Sequence, residues 1–190
     1  MSMKKNGKTA LLVMDIQSAI ISYLPDPAPL LSNIEKATKA AHQAGVKVIY
    51  VTLGFREEHP EIHHEHHLFG GVKANKMFVD SHAGTAIHPD ITLRSSDIIV
   101  VKKRVSAFAG SDLSIILRAH KIASLALSGV STSGVVLSTL REAADMDYHM
   151  TVLSDACADP DPEVHEFLVK NIFPFSGNIA TTEKWIGSIA

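Results

Sequence analysis

The apolar residues of this chain fall into short runs rich in β-branched side chains, and helix-type spacing separates one run from the next. Buried strands are predicted at residues 9–15, 46–53, 97–102, 123–129 and 149–154, with a shorter strand near 179–181. Helices are predicted at residues 29–44, 113–120, 132–146 and 162–171, with a last helical turn around Trp185. Strands that are apolar on both faces and alternate with helices indicate a parallel sheet covered on both sides. The expected fold class is therefore α/β, with three layers in the order α-β-α.

Length and charge narrow the possible functions. The chain has 190 residues and a net charge of -2, which fits one domain over residues 1–190, with a flexible tail expected at 1–8. No basic face is implied, so we do not expect nucleic acid as a partner. No apolar run reaches the length of a membrane span, and the first such run is interrupted by Asp15 and Gln17. The single cysteine, Cys157, excludes an intrachain disulfide, which fits a cytoplasmic location.

In doubly covered parallel sheets, ligands bind beyond the carboxyl ends of the strands. Two charged residues lie at such ends. Asp15 follows the first predicted strand, where burial would raise its pKa unless a cation opposes it. An N-cap or turn aspartate is an equally good interpretation. Lys102 ends the third predicted strand, where a solvated lysine is the ordinary interpretation. Since Lys102 and Lys103 point to opposite faces of a strand, at most one can easily face a pocket.

The small residues at 128–135 (SGVSTSGV) join the fourth predicted strand to a helix. Free backbone amides at such a turn can stabilise an oxyanion or bind a carboxylate. A simple capped turn is the alternative. No G-x-G-x-x-G motif follows the first strand and no phosphate-binding loop is present, so we expect no nucleotide cofactor. The segment 54–95 is the one long irregular stretch, and such stretches are usually functional or mobile.

Taken together, four motifs resemble the isochorismatase-like hydrolases. They are LLVMDIQ at the first strand end, VKKRVSAF at the third, SGVSTSGVVLSTLREAADMDY at the fourth, and VLSDAC after that. Each motif alone is weak, but four in this order are specific, and they cover the chain from about Thr9 to Ile179. The family fold is a six-stranded parallel sheet between helices, in agreement with the strands counted above.

The resemblance implies roles for individual positions. Asp15 matches the catalytic aspartate of the family and Lys102 its lysine. The turn after Val130 matches the segment that carries a cis peptide and oxyanion-binding amides. The frame G-V-x-T-x-x-C places the cysteine nucleophile of the family at position 135, which is Val135 here. The substrate-binding residues expected around the catalytic pair are Gln17, Phe108, Ser131, Thr132 and Val135.

Valine at position 135 departs from the family pattern, because its side chain can neither attack a carbonyl nor ionise. Amide hydrolysis through a thioester is therefore not expected. Cys157 does not replace the missing thiol. It is interpreted as a small buried hydrophobic residue that takes no part in catalysis.

A second departure concerns metal. Nicotinamidase-like members carry an Asp and His pair just after the second strand, where this chain reads Leu53-Gly54-Phe55-Arg56. The following segment holds a cluster of histidines that could bind zinc or nickel: His59, His63, His64, His66 and His67. A solvated, pH-sensitive loop is favoured over a built site, so no metal and no cofactor are predicted.

Two functions remain open from the sequence. The first is an isochorismatase-family hydrolase acting on a small anionic metabolite, with Asp15 as general acid or base and Lys102 anchoring the substrate. Its mechanism would involve no covalent thiol intermediate, and the family implies a homodimer or tetramer. The second is a non-catalytic member of the family that binds a metabolite or a protein partner.

Overall fold

The computed structural model describes residues 7–190, and within them the six predicted strands form one sheet. All neighbouring strands run parallel, in the order β3-β2-β1-β4-β5-β6. Their bounds are Lys8–Met14 (β1), Lys47–Leu53 (β2), Ile98–Lys102 (β3), Ile122–Val130 (β4), His149–Ala158 (β5) and Asn178–Ala180 (β6). The predicted α/β class with a six-stranded parallel sheet is therefore confirmed.

Seven α-helices fall within the described residues and cover both faces of the sheet. They are Ser18–Ile21 (α1), Ala28–Gln43 (α2), Phe69–Ala74 (α3), Leu113–Ala119 (α4), Leu137–Asp145 (α5), Pro162–Phe167 (α6) and Thr182–Ile189 (α7). Wide, π-type turns precede α5 at Thr132–Val136 and follow α6 at Leu168–Ile172. The predicted helices at 132–146 and 162–171 are thus each divided in two.

Two differences from the sequence prediction bear on function. The segment expected to be irregular, 54–95, contains α3 and a short 3-10 turn at Ala83–Thr85. Strand β5 extends to Ala158, four residues beyond its predicted end at 154.

Most of the tail expected over residues 1–8 lies outside the described residues, and Lys8 already begins β1. No helix in the described part of the chain is long and apolar enough to cross a membrane.

The two faces of the sheet bury separate hydrophobic clusters, which explains why the strands read as continuous apolar runs. On β1, Leu12 and Met14 face the cluster beneath α4 and α5, while Leu11 and Val13 face the cluster beneath α2 and α7. Every side chain from Ala10 to Met14 is at most 1% exposed. Burial on both faces requires apolar side chains at odd and even positions alike.

The strand order reverses between β1 and β4, because the chain moves outward from β1 to β3 and then returns to continue through β4 to β6. At such a reversal the connections leave in opposite directions and open a crevice beyond the carboxyl ends of the strands. Asp15 follows β1 and Ser131 follows β4, so both lie at this reversal point. Lys102 ends β3, at the edge of the sheet.

A glycine is required at position 129, because β4 passes very close to β1 there. Its φ is +145°, and a Cβ atom there would overlap the carbonyl oxygen of Met14. Gly187, in the exposed part of α7, has no atom within 4 Å of the position its Cβ would take. The two glycines therefore form a matched pair for testing the strand contact.

We predict that Gly129→Ala lowers the free energy of unfolding by roughly 2–4 kcal/mol, through backbone strain and overlap. Gly187→Ala should raise it by about 0.5–1 kcal/mol, because alanine favours a helix interior. Urea unfolding followed by circular dichroism measures both. Equal effects of the two substitutions would contradict the close approach.

Candidate active site

Asp15 occupies a constrained position directly after β1. Its φ is +58°, in the left-handed region that aspartate tolerates better than most residues. Its backbone N–H donates to the carbonyl oxygen of Val51 at 2.8 Å, which fixes it against β2. The residue is only 6% exposed, and this burial raises the pKa of its carboxyl group while Lys102 acts to lower it.

Lys102 and Asp15 form a buried ion pair. The Lys102 Nζ atom lies 2.9 Å from Asp15 Oδ2 and donates a second hydrogen bond to the Arg104 carbonyl at 3.0 Å. The lysine is 2% exposed, although its strand is at the edge of the sheet. An ammonium group has three donors, so one N–H remains for a ligand. The other carboxylate oxygen, Asp15 Oδ1, is buried and has no hydrogen-bond partner.

The turn after β4 completes this part of the site. The Val130–Ser131 peptide is cis, as the family resemblance predicted. Three side chains hold the turn: Ser131 Oγ accepts from the Gly134 N–H at 3.1 Å, Asp159 Oδ2 accepts from the Ser133 N–H at 2.8 Å, and His165 Nδ1 lies 2.8 Å from Thr132 Oγ1. Burial lowers the pKa of His165, which favours the neutral ring in this contact.

These elements surround a pocket of about 460 Å³, within the usual range for small-molecule sites. Asp15 and Lys102 are its only charged residues. The remaining lining residues are Ile20, Tyr23, Leu53, Leu68, Phe69, Val72, Phe78, Val105, Val130, Ser131, Ser133, Gly134, Val135 and Pro160. The structure therefore brings together four of the residues predicted from the sequence, namely Asp15, Lys102, Ser131 and Val135.

Three predicted binding residues do not line the pocket. The Gln17 amide hydrogen bonds to the backbone N–H and carbonyl of Leu53 and to the Thr85 carbonyl, so it ties β1 to β2 and to the segment after α3. Phe108 packs in the core with its ring 6.3 Å from that of Tyr148. Thr132 is fully buried and contacts His165. Gln17 and Thr132 thus hold segments next to the pocket, whereas Phe108 is a core residue.

Cys157 is buried in the core and is not among the residues that line the pocket. Its Sγ atom lies 3.8 Å from the Leu127 carbonyl, and burial raises the pKa of the thiol to about 12. A thiol with this pKa is almost fully protonated at neutral pH and is a poor nucleophile.

Sequence reasoning missed most of the apolar residues that line the pocket. Leu68, Phe69, Val72 and Phe78 all come from the segment that was expected to be irregular. The available signal was the spacing of Phe69 and Val72, which are three residues apart and share one side of a helical turn. The segment's apolar residues are sparse, so only the folded chain shows which of them meet the site.

The histidine-rich segment does not form one solvated cluster. His59 is 1% exposed and its Nε2 lies 2.7 Å from the Met77 carbonyl, contrary to the expectation of a solvated loop. His63, His64 and His67 are exposed, as expected. In the part of the chain that the structure describes, no group of three or more His, Cys, Asp or Glu side chains could hold a metal ion.

The geometry can now be compared with known proteins. The fold is that of a cysteine hydrolase from Pseudomonas syringae pv. phaseolicola, with a TM-score of 0.89 at 24% identity over 98% of both chains. N-carbamoylsarcosine amidase from Thermoplasma acidophilum also shares it, with a TM-score of 0.75 at 22% identity over 93% of this chain and 97% of the amidase. These similarities define the fold class as α/β, with one parallel sheet between helices.

The sequence comparisons give the family. The model of the isochorismatase domain matches residues 9–184. The ureidoacrylate amidohydrolase RutB of Acinetobacter baylyi is 30% identical over 204 residues, which cover 95% of this chain and 83% of that protein. The isochorismatase family protein YecD of Escherichia coli O157:H7 is 26% identical, with 97% and 98% covered. The chain belongs to the isochorismatase family of hydrolases.

The buried ion pair leads to a prediction on stability. Lys102→Met leaves the Asp15 carboxylate buried without its cation, which should lower the free energy of unfolding by about 3–5 kcal/mol near pH 8. An aspartate whose folded pKa is raised loses stability as pH rises from its unfolded pKa to its folded pKa. Because Lys102 acts to lower the pKa of Asp15, removing the lysine raises that pKa further and extends this pH window upward. The difference in the free energy of unfolding between the variant and the wild type should therefore shrink as the pH is lowered.

Denaturant titrations at several pH values test this prediction. The double variant with Asp15→Asn and Lys102→Met is the control, since it carries no buried charge and should lose less stability than Lys102→Met alone. A loss that does not depend on pH would contradict the pairing of Lys102 with an ionisable Asp15.

Proposed function

We propose that this family member hydrolyses a small anionic metabolite by proton transfer from Asp15, with Lys102 anchoring the substrate and no covalent thiol intermediate. The observation that carries this proposal is the free oxygen of Asp15. Oδ2 is paired with Lys102, whereas Oδ1 has no partner in a residue that lines the pocket. A proton on Oδ1 would be placed for transfer to a bound substrate.

The residue at the nucleophile position supports a mechanism without a thiolate. Val135 lines the same pocket and is 2% exposed, so an inert branched side chain occupies the space of a nucleophile. The one thiol in the sequence, Cys157, is buried elsewhere. These observations support a reaction that needs no covalent attack by a protein thiol.

Cleavage of an enol ether meets that requirement. Asp15 donates a proton to the terminal vinyl carbon, and the C=C electrons form the new C–H bond. The oxocarbenium ion that results adds water at the adjacent carbon. The added water loses a proton to the Asp15 carboxylate, which gives a hemiketal. The hemiketal then breaks the C–O bond to the leaving group as its hydroxyl proton passes to the leaving oxygen, which releases an alcohol and a ketone. The net change is the addition of one water, with the aspartate serving first as acid and then as base.

The environment of Asp15 supports its use as an acid. Burial favours the neutral carboxyl group and is the largest influence on its pKa, whereas the nearby ammonium group opposes it. A general acid is most effective with a pKa near the working pH, and burial shifts the pKa of Asp15 upward, in that direction. Lys102 keeps one donor for an anionic group of the substrate.

The names of the relatives suggest a second candidate, amide hydrolysis, since RutB is described as an amidohydrolase. That chemistry needs a nucleophile or an activated water, and Val135 supplies neither. A non-catalytic role as a binding protein is the third possibility. The buried ionisable pair disfavours it, because such a pair is costly to keep without a use.

Further proposals concern organisation and assembly. We propose that residues 1–190 form one domain, that the chain functions in the cytoplasm, and that it assembles as a homodimer or tetramer. The single cysteine supports the proposed location in the cytoplasm.

Exposed apolar side chains on the edge strand β3 support assembly, since Ile99 is 53% and Val101 38% exposed. Light scattering should give a mass at least twice that of the 20.5 kDa chain, and a monomer would exclude the assembly.

The proton-transfer mechanism predicts a specific loss of activity. Asp15→Asn keeps the shape of the side chain and removes the proton, so it should reduce the rate of enol ether hydrolysis by about 10²–10⁴-fold. Activity of the wild type should fall as pH rises through the pKa of Asp15. Cys157→Ser is the matched control and should leave the rate unchanged.

Position 135 provides the complementary test. Val135→Cys places a thiol in the pocket and should create weak amidase activity on a panel of small amides, detected as ammonia release. Efficient amide hydrolysis by the wild type would overturn the proposed mechanism. Binding of a metabolite with no turnover of either substrate class would favour the binding protein.

A further inference from the structure

The composition of the pocket limits the substrate more narrowly than the family does. Apart from the charged pair, the lining is largely apolar, and much of it belongs to one continuous stretch of chain. We define the apolar wall as Leu53, Leu68, Phe69, Val72, Phe78 and Val105. Unlike the ion pair, the side chains of this wall offer neither hydrogen-bond donors nor hydrogen-bond acceptors.

Charge within the pocket is equally limited. Lys102 is the only cation among the lining residues. Arg104 approaches the wall, since its guanidinium group lies 5.6 Å from the centre of the Phe69 ring, but it is outside the lining set. Its NH1 and NH2 groups donate to the carbonyls of Lys103 and Glu61. A second anionic group on a ligand would therefore meet apolar side chains without a compensating charge.

We propose that the site takes a monoanion with an apolar body: its carboxylate binds Lys102, its apolar part packs against the apolar wall, and its binding is coupled to protonation of Asp15. This inference rests on the proposed function only in using the same pocket. It names the substrate class, whereas the proposed function names the reaction.

The coupling follows from the shared cation. Lys102 neutralises Asp15 at 2.9 Å in the empty site. A ligand carboxylate at the same ammonium group places a second negative charge beside Asp15, and two anions around one buried cation are unfavourable. Uptake of one proton by Asp15 restores the balance, leaving one cation and one anion. Protonated Asp15 can then donate through Oδ1, which has no partner in the empty site.

Among the described residues that line the pocket, no other charged group could take up this proton in place of Asp15. Asp15 is faced by Lys102 from the end of β3, and Tyr23, which is 61% exposed, is the only other titratable residue in the lining. The turn after β4 contributes Ser131 and Ser133, whose hydroxyl groups do not titrate in this range. Ligand binding and protonation are therefore linked through the Asp15–Lys102 pair alone among the lining residues.

Four small probes test the substrate class without turnover, since none contains an enol ether. Phenylacetate is the monoanion with an apolar body. Phenylacetamide lacks its charge, acetate lacks its body, and phenylmalonate adds a second carboxylate. Calorimetry on the wild type near pH 6 should show phenylacetate binding at least about tenfold more tightly than each of the others. Equal or tighter binding of phenylmalonate or of acetate would overturn the proposal.

The coupling has a separate readout. Affinity of the wild type for phenylacetate should fall by up to about tenfold per pH unit above the pKa of free Asp15, because binding then requires a proton. In Asp15→Asn, a neutral side chain of the same shape, the affinity should not depend on pH over that range. A wild-type affinity that is also independent of pH would show that no proton is taken up.

A charge placed on the wall should change the preference. Val72 is partly buried in α3, and Val72→Arg adds a second cation to the pocket. This variant should bind phenylmalonate more tightly than phenylacetate. Ile115→Arg adds the same charge at a position in α4 that is 63% exposed and outside the pocket, and should keep the wild-type order. An unchanged order in a folded Val72→Arg variant would contradict the position of the wall.

These results separate the two proposals. If phenylacetate binds as described but no enol ether is hydrolysed, the substrate class stands and the proposed reaction fails. If enol ethers are hydrolysed and phenylmalonate binds as well as phenylacetate, the reaction stands and the substrate class fails.

Discussion

The ion pair between Asp15 and Lys102 is the interaction on which the site depends. It joins the central strand β1 to the edge strand β3 across the end of β2, and both partners are almost completely buried. A buried charge without its partner costs several kcal/mol, so neither residue can change alone without penalty. The pair also distinguishes the two oxygens of Asp15: Oδ2 is held by Lys102, whereas Oδ1 has no hydrogen-bond partner, and the proposed proton transfer uses Oδ1.

The turn after β4 keeps a defined backbone geometry with valine at position 135. The cis peptide and the bonds from Asp159 and Ser131 hold the backbone of the turn. Val135 lies on the same wide helical turn and contributes only its shape. The backbone arrangement does not require a thiol, because the side chains of Ser131 and Asp159 hold it.

The segment between β2 and β3 has a different role from the one its composition suggested. Its polar and histidine-rich part is mostly exposed, whereas α3 and the residues after it form the apolar wall of the pocket. His59 is buried and bonded to the Met77 carbonyl, and Gln17 bonds to the Leu53 backbone and the Thr85 carbonyl, so the segment is fixed at both ends. In the proposed function this segment would limit the shape of the substrate, while Asp15 would carry the reaction.

The sequence by itself determined the sheet, its parallel strands and the two charged residues of the site. Runs such as residues 10–14 are apolar at every position, a pattern typical of a strand that is covered on both faces. The sequence could not show that Lys102 reaches Asp15 from the edge of the sheet, that Gln17 and Phe108 lie outside the pocket, or that Phe69 and Val72 line it. Those features depend on contacts between residues far apart in the chain, and only packing in three dimensions selects among the many that hydrophobic pattern and charge allow.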